Sequence, residues 1–521
     1  MKRFFSTLII TLLLYSHSAA QSTDIDPNHW GYDYLDLLSA RGMIDGFSSG
    51  LKPVTRERFG ELLMMAEEKQ TKNPELLSHT EQKILQRLKG DILSDPDSPE
   101  TKVLDEFRER HLFTWSEDES WFSIDAFFNQ ENDLGFLDDN REEQNISRTT
   151  GGARIRGYLG SNLYFYLWFT NTLEKGGVLA QNNFDPSQGL PAVAYDGNLY
   201  RDDAISYFKY RAPWFDITVG RQNITWGPGR RSGLTFSSNN PPMDVIRLDV
   251  RYRKLSYSGF IGDIRGRGGN KKIAAHRLDI IPITGLRIGA GETVVYNRSK
   301  FEILYSLPLM PFHIAEHHLG DRDNNSINFD ITYDRLSNTS VYAELFIDDY
   351  KLLKNPFTHW GNKWAVLSGV LFTKPLNMKN STLRIEYSRI EPYVYTHVRS
   401  GNEYFNYDRP MGHWAGPDSD ELFLSYVNTL DWRVKLKLSF AVLRRGQLDD
   451  TFSRPVTGDL KEFLSGVVER RLTFTAGYSV EFAKDQYFQA EFQRMNWNNF
   501  GKQEGVVVFD NRFYFTYRID I

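Results

Sequence analysis

The sequence contains no cysteine, and beyond its first twenty residues it has no apolar run of membrane-helix length. The lack of cysteine excludes disulfide scaffolds, thiolate metal sites, cysteine nucleophiles and a lipid-modified cysteine anchor. A net charge of −5 over 521 residues leaves no electrostatic footprint for nucleic-acid binding. Neither a phosphate loop nor His-Glu-x-x-His occurs, and the Gly-x-Ser-x-Gly match at 46–50 follows a predicted helix rather than a strand. We therefore expect no enzyme, no cofactor and no metal site.

Residues 1–20 have the three parts of a secretory signal peptide. These parts are a positive segment, a short apolar segment and a small-residue cleavage site, at Lys2–Arg3, Phe4–Tyr15 and Ser18–Ala20. We expect cleavage before Gln21. An exported chain without a membrane helix is either a soluble protein or a transmembrane barrel.

From about Asp26 to Arg110 the apolar residues recur at helical spacing. A first helix is predicted around Trp30 to Leu38, a second opens at Thr55, a third fits Ser78 to Gly90, and a short one lies around Val103 to Arg110. We assign residues 21–115 to a helical region and residues 116–521 to a second, strand-rich region.

The pattern changes to period two from Trp121 onward. Between 432 and 440, for example, Val434, Leu436 and Leu438 alternate with Arg433, Lys435 and Lys437. An aromatic content of 14% also favours strands. A soluble sandwich would show the same alternation, so this pattern alone leaves both classes open.

The connections favour a barrel. About eighteen candidate strands are joined by links that alternate between short and long, as in outer-membrane barrels with short periplasmic turns and long external loops. The short links include 160–161, 212–213, 253–254, 282–283, 336–338, 428–429 and 483–484. A final amphipathic strand from Phe513 ends the chain at Ile521, which resembles the signal read by the barrel-assembly machinery. We predict an all-β transmembrane barrel of about eighteen antiparallel strands in outer-membrane lipid, with a periplasmic helical region and extracellular long loops.

Five segments resemble the Wzi family of capsule-assembly proteins. They are GRQNITWGPG (220–229), SSNNPP (237–242), VYAELFIDD (341–349), LRIEY (383–387) and GHWAGPD (412–418). The resemblance extends over most of the chain from about residue 121. It implies an eighteen-stranded barrel with a periplasmic helical part, which holds capsular or extracellular polysaccharide at the cell surface in a lectin-like way, without chemistry.

The helical region is similar to one S-layer-homology module, through His29–Trp30, Arg41–Gly42, Ile44–Phe47 and Pro53–Glu57. Such modules elsewhere bind cell-wall-linked polymers, usually as several copies. Only one clear copy is visible here, which favours a structural plug on the periplasmic mouth of the barrel over independent wall binding.

Eight residues in predicted outer loops are candidates for carbohydrate binding: Arg221, Trp226, Arg230, Arg231, His359, Trp360, His413 and Trp414. A tryptophan face can stack on a sugar ring, and arginine binds acidic groups through charge-assisted hydrogen bonds. Alternatively, Trp226 belongs to the interfacial aromatic girdle, the arginines contact lipid phosphates or lumen carboxylates, and the two His-Trp pairs serve loop packing.

Two other functions stay open at this stage. The first is an outer-membrane porin or channel for small polar solutes, because inward-facing Arg247, Lys435 and Lys437 fit a polar lumen in either case. The second is an outer-membrane hydrolase whose site is assembled from separate strands. His313 and His317 are four residues apart, but no carboxylate is tied to them, so a metal site is not expected there.

Overall fold

The computed structural model of the chain combines a small helical region with one closed β-barrel. It describes residues 23–94, 106–138, 144–176, 192–266, 269–399, 401–448 and 458–521. The predicted signal peptide and its cleavage site lie outside the described residues. Within those described ranges, no helix is both long enough and apolar enough to cross a bilayer.

Three helices form most of the N-terminal region: α1 (Gly31–Ala40), α2 (Arg56–Lys72) and α3 (His79–Leu93). The predicted starts of the second and third helices are confirmed, because the side chains of Thr55 and Ser78 accept hydrogen bonds from first-turn amides. The apolar faces meet in a core of fully buried side chains, among them Tyr32, Leu38, Phe59, Leu62 and Leu88.

The fourth predicted helix is wrong for residues 106–110, which form a turn and then an irregular segment, while 103–105 lie outside the described part of the chain. Phe107 packs edge-on against Trp432, with ring centroids 5.2 Å apart. The carboxylate of Glu109 accepts a hydrogen bond of 2.5 Å from Arg156 on the barrel wall. Contacts with the barrel therefore override the helical propensity of this segment.

Eighteen antiparallel strands close the barrel, which confirms the predicted fold class and strand number. In chain order they are β1 (Ser120–Asp138), β2 (Gln144–Leu159), β3 (Leu163–Lys175), β4 (Asn198–Ala212), β5 (Phe215–Gln222), β6 (Met243–Tyr252), β7 (Leu255–Gly266), β8 (Gly269–Ile283), β9 (Leu286–Tyr296), β10 (Asn324–Leu336), β11 (Thr339–Asp349), β12 (Lys363–Thr373), β13 (Ser381–Ile390), β14 (Ser419–Asp431), β15 (Val434–Arg445), β16 (Glu469–Ala483), β17 (Gln486–Asn498) and β18 (Val507–Asp520). Two short strands, Phe113–Glu117 and Ala192–Tyr195, pair with β1 and β4.

The last strand closes the ring by pairing with β1, as its amphipathic pattern predicts. Ile521 and Ala126 exchange two backbone hydrogen bonds, of 2.8 and 3.0 Å, at the end of this seam. Phe513 and Phe515 lie on the exposed outer surface, whereas Arg512, on the alternate face, is buried in the lumen. The barrel is thus apolar outside and polar inside.

The connections differ between the two ends. At the short-turn end, two to seven residues join successive strands, and at the long-loop end the connections reach the 28 residues of 391–418. The predicted turn at 428–429 is wrong, because β14 continues to Asp431. The predicted long loop at 263–272 is also wrong, since β7 and β8 extend to Gly266 and Gly269, with Lys272 paired to Asp263 across the strands.

The N-terminal region lies in the lumen at the short-turn end, where α1 faces β10, β11 and β12. Charged groups hold it there. Arg287 of β9 donates a 2.5 Å hydrogen bond to Ser39 of α1, and Asp24 lies between Lys209 of β4 and Arg247 of β6.

Loop 223–242 enters the lumen from the long-loop end and meets the N-terminal region. Thr225–Trp226 and Leu51–Lys52 form a two-stranded antiparallel sheet between them. Together they fill the side of the lumen formed by β4 to β13. The side formed by β14 to β18, β1 and β2 encloses a large cavity.

Candidate functional site

Trp226 lies in the infolded loop and is only 1% exposed. Its ring packs edge-on against Phe236 and Phe260, with centroids 5.2 and 5.5 Å away. The prediction that Trp226 stacks on a sugar therefore does not fit this structure, and neither does a place in the aromatic girdle. Trp226 is a packing residue of the lumen core.

Two buried carboxylates of the barrel wall hold the infolded loop. Glu344 of β11 accepts hydrogen bonds of 3.0 and 2.9 Å from the backbone amides of Leu234 and Thr235, and another of 2.9 Å from the Thr235 hydroxyl. Glu386 of β13 accepts 2.8 Å hydrogen bonds from the amides of Arg230 and Arg231. Because these acceptors are ionisable side chains on rigid strands, they fix the course of the loop.

Arg230 is committed to the N-terminal region. Its guanidinium donates to Asp33 over 2.5 and 3.0 Å, and its Nε lies 3.4 Å from Asp36. Burial acts to raise the pKa of Asp33, but Arg230 and Arg384 outweigh it and hold that pKa below its usual range. Arg230 thus joins the infolded loop to α1 through an ion pair.

His413 and Trp414 lie in loop 391–418 and have different surroundings. His413 is 1% exposed, and its Nε2 lies 3.0 Å from the Ser388 hydroxyl while its Nδ1 accepts from the Ala415 amide. Burial, with nearby Arg231 and Arg445, lowers the pKa of His413 to about 3, so the imidazole is neutral. The prediction of direct sugar contact does not fit His413, which instead joins loop 391–418 to Ser388 of β13. Trp414 is partly exposed.

The cavity on the open side of the lumen has a volume of about 1430 Å³. Its wall includes residues from the N-terminal region, from loop 223–242, and from β14 to β18. A second cavity, of about 380 Å³, lies among the long loops and shares Trp414 and Arg445 with the first. Trp414 and Arg445 therefore stand where the two cavities meet.

Three arginines surround Trp414 at this junction. The guanidinium carbons of Arg231, Arg445 and Arg471 lie 5.3, 5.1 and 4.8 Å from its ring centroid. Arg471 also lies 4.9 Å from the ring of Trp497, its paired neighbour across β16 and β17. We call these five residues the outer cluster.

Glu421 of β14 orients the outer cluster. It accepts a 3.1 Å hydrogen bond from the Trp414 indole nitrogen and lies 3.5 Å from Arg231. Trp414 therefore has one edge fixed by a carboxylate, while arginines approach its ring. Such an arrangement combines an aromatic surface with cationic donors, which suits a sugar that carries an anionic group.

Of the eight residues predicted from sequence, Arg230, Arg231 and Trp414 line the large cavity. Arg221 lies elsewhere, 3.5 Å from Asp244. His359 and Trp360 contact Asp459, to which the Trp360 indole donates over 3.2 Å. Neither cavity includes these three residues.

Arg445, Arg471 and Trp497 are missing from the sequence-based site. They belong to no motif, and a loop of 23 residues separates β15 from β16. The usable signal is strand order, because β15, β16 and β17 are sequential and sequential strands of a barrel pair. Their register, which places Arg471 opposite Trp497, is a property of the folded sheet.

One group of side chains among the described residues has the spacing of a metal site, formed by Glu109, His111 and Asp125. The Glu109 carboxylate already accepts hydrogen bonds of 2.7 and 2.5 Å from Arg154 and Arg156, and Asp125 accepts one of 2.9 Å from Arg154. Arginine thus supplies the positive charge that a cation would bring, and the group is better described as an ion network.

Comparison with known proteins places these features in a family. The profile of the capsule assembly protein Wzi family matches residues 191–507. A similar solved structure is Wzi of Escherichia coli, described as an outer membrane protein involved in group 1 capsule assembly and as a carbohydrate-binding β-barrel, with 12% identity and a TM-score of 0.58 over 96% of this chain and 99% of that one.

Two Pseudomonas aeruginosa structures are less similar. OpdQ has 9% identity and a TM-score of 0.46, over 77% of this chain and 98% of that one. The outer membrane protein OprD has 11% identity and a TM-score of 0.44, over 76% and 94%. No curated protein matches the sequence. The profile match spans more than half of this chain. The chain therefore belongs to the Wzi family of capsule assembly proteins and is an outer-membrane β-barrel.

Proposed function

We propose that this protein attaches a capsular or extracellular polysaccharide to the cell surface by binding its sugars in a lectin-like way, without catalysis. The observation that carries the proposal is the outer cluster, in which Trp414 and three arginines meet at the junction of two cavities. A partly exposed indole offers a stacking surface, and guanidinium groups donate to sugar oxygens.

In the proposed orientation the N-terminal region faces the periplasm and the long loops are extracellular. The asymmetry of the connections supports it, because outer-membrane barrels have short periplasmic turns and longer external loops. The outer cluster then lies at the cell exterior, where polysaccharide is available. The N-terminal region serves as a structural plug, supported by its charged contacts with the lumen wall.

The test is attachment of polysaccharide to cells. Deletion of the protein, and Trp414→Ala in the full chain, should move polysaccharide from the cell-attached to the shed fraction. Trp214→Ala is the matched control, since Trp214 is an exposed tryptophan in a turn at the opposite end of the barrel. Outer-membrane amounts of each variant are measured alongside. Unchanged attachment after deletion would contradict the proposal.

A channel is the second candidate function, favoured by the extent of the cavity. Its wall includes Thr429 near the short-turn end and Trp497 near the long-loop end. Recordings of the purified protein in planar bilayers separate the two functions. Steady, large currents would favour a channel, whereas a closed barrel fits the attachment role.

A further inference from the structure

The open side of the lumen has unbalanced charge. Several cations of its wall have acidic partners: Arg148 with Glu131 and Glu174, Arg230 with Asp33, Arg384 with Asp36, and Arg512 with Asp133 and Asp510. Four other cations, Lys435, Lys437, Arg445 and Arg471, line the same cavity, and among the described residues no acidic group lies within ion-pair distance of them. Glu491 is the acidic wall residue that likewise has no ion pair within the described ranges. The excess is therefore cationic.

Arg445 and Arg471, the two outer cations, are not simply solvated surface groups. The Nε atoms of Arg445 and Arg471 are buried and have no hydrogen-bond partner. Burial of a charged donor without a partner is unfavourable, and an anionic group in the cavity would relieve that cost. By contrast, the amides of the infolded loop donate hydrogen bonds to two carboxylates of the opposite wall, Glu344 and Glu386.

We propose that the open side of the lumen is a binding groove for an acidic polysaccharide segment, with Arg445 and Arg471 at its outer end and Lys435 and Lys437 at its inner end. This inference rests on the proposed function and adds the chemical class of the sugar and the path that it follows. Carboxylate or sulfate groups on the polymer would pair with the four cations.

The distance between the two pairs indicates an oligomer. Lys437 is the paired neighbour of Gly477 on β16, and Arg471 lies six residues further along that strand. At about 3.3 Å per residue the two cationic positions are roughly 20 Å apart. One monosaccharide cannot reach both, so a chain of several acidic sugars should bind more tightly than a single one.

The wall between the pairs suits a sugar chain. Tyr514 contributes an aromatic face, and Ser425, Thr473, Gln489 and Gln493 contribute hydroxyl and amide groups. Mixed aromatic and neutral polar side chains are the groups that contact the apolar faces and hydroxyls of a sugar. The groove can thus bind the whole repeat and not its charge alone.

The experiment measures binding of polygalacturonate oligomers, galacturonic acid and uncharged dextran oligomers to the purified full-length protein in detergent. The double variants Arg445→Gln/Arg471→Gln and Lys435→Gln/Lys437→Gln test the two ends. Arg470→Gln/Arg494→Gln is the matched control, because both arginines are exposed and alternate with lumen-facing positions. It removes the same charge from the outside of the barrel.

We expect each lumen variant to weaken binding of the acidic oligomer about tenfold or more, with the control within roughly twofold of wild type. Galacturonic acid should bind more weakly than its oligomers. The proposed groove would be contradicted if the acidic oligomer bound no more tightly than dextran, or if its affinity were unchanged in Lys435→Gln/Lys437→Gln. If a Gln variant fails to form the barrel, Arg471→Lys replaces it, because lysine retains the charge but loses the guanidinium fork. We expect this variant to bind the acidic oligomer with intermediate affinity. Binding as tight as that of wild type would contradict the assignment of Arg471.

The outcome of this binding experiment can be distinguished from the outcome of the attachment test. If acidic oligomers bind in the groove but deletion leaves polysaccharide attached to cells, the groove stands and the attachment role fails. If deletion releases polysaccharide but acidic and neutral oligomers bind equally, the attachment role stands and the groove fails.

Discussion

Replacing Glu344 by Gln should loosen the infolded loop without changing the size of the side chain. The carboxylate accepts from two backbone amides and one hydroxyl, at 2.9 to 3.0 Å, and is 1% exposed. Gln replaces one of the two acceptor oxygens by an amide nitrogen, so at least one buried donor loses its acceptor, which costs about 1–3 kcal/mol. We therefore expect the loop to lose roughly 1–3 kcal/mol of local stability.

The assay is amide hydrogen exchange of Leu234 and Thr235 in the purified barrel. A loss of about 1–3 kcal/mol corresponds to exchange roughly 5- to 150-fold faster at these amides. Glu491→Gln is the control, since that lumen carboxylate accepts no hydrogen bond among the described residues and the exchange rates should not change. Unchanged exchange in Glu344→Gln would refute the reasoning, because some other contact would then hold the loop.

Three further predictions concern other parts of the molecule. Arg287→Ala leaves Asp334 buried without its cation, so the N-terminal region should lose about 3–5 kcal/mol and become sensitive to added protease. Leu62→Ala removes a fully buried side chain from the helical core and should cost about 2–5 kcal/mol, measured as a lower Tm, whereas Leu309→Ala, at an exposed position, should not. Because the pKa of His413 is lowered to about 3 in the folded protein, the unfolded chain takes up a proton first as pH falls below about 6.5. Stability should therefore decrease from pH 6.5 toward 3, and His413→Asn should reduce that slope in pH-dependent melting.

Features set by local pattern could be predicted from the sequence. Thr55 and Ser78 begin helices because a hydroxyl before an apolar, helical run satisfies first-turn amides. The alternation in β18 identifies both its outer face and its role in closure, since side-chain direction in a strand has period two. The family resemblance, which rests on ordered segments, agrees with the profile match.

Features set by long-range packing could not be predicted. Nothing near Trp226 in the sequence indicates that its loop folds inward, because Phe260 of β7 and Glu344 of β11, which cover and hold the loop, lie far along the chain. A glycine- and proline-rich stretch looks the same in an external loop and in one that enters the lumen. For the same reason the sequence-based site contains Trp226 but not Arg471.

The two sides of the lumen solve the problem of buried charge in opposite ways, and this difference supports assigning them different roles. On the packed side, Arg287 meets Asp334 beside the N-terminal region, and the wall carboxylate Glu344 meets backbone amides of the infolded loop, so these groups hold the two segments in place. On the open side, no carboxylate among the described residues lies within ion-pair distance of Arg445 or Arg471, which is unfavourable for folding where their donors are buried. Replacing Arg445 and Arg471 by Gln should therefore leave the melting temperature unchanged or raise it, while polysaccharide binding weakens. Replacing Arg287 by Ala should instead lower the melting temperature. A wall kept only for stability would respond to both changes in the same direction.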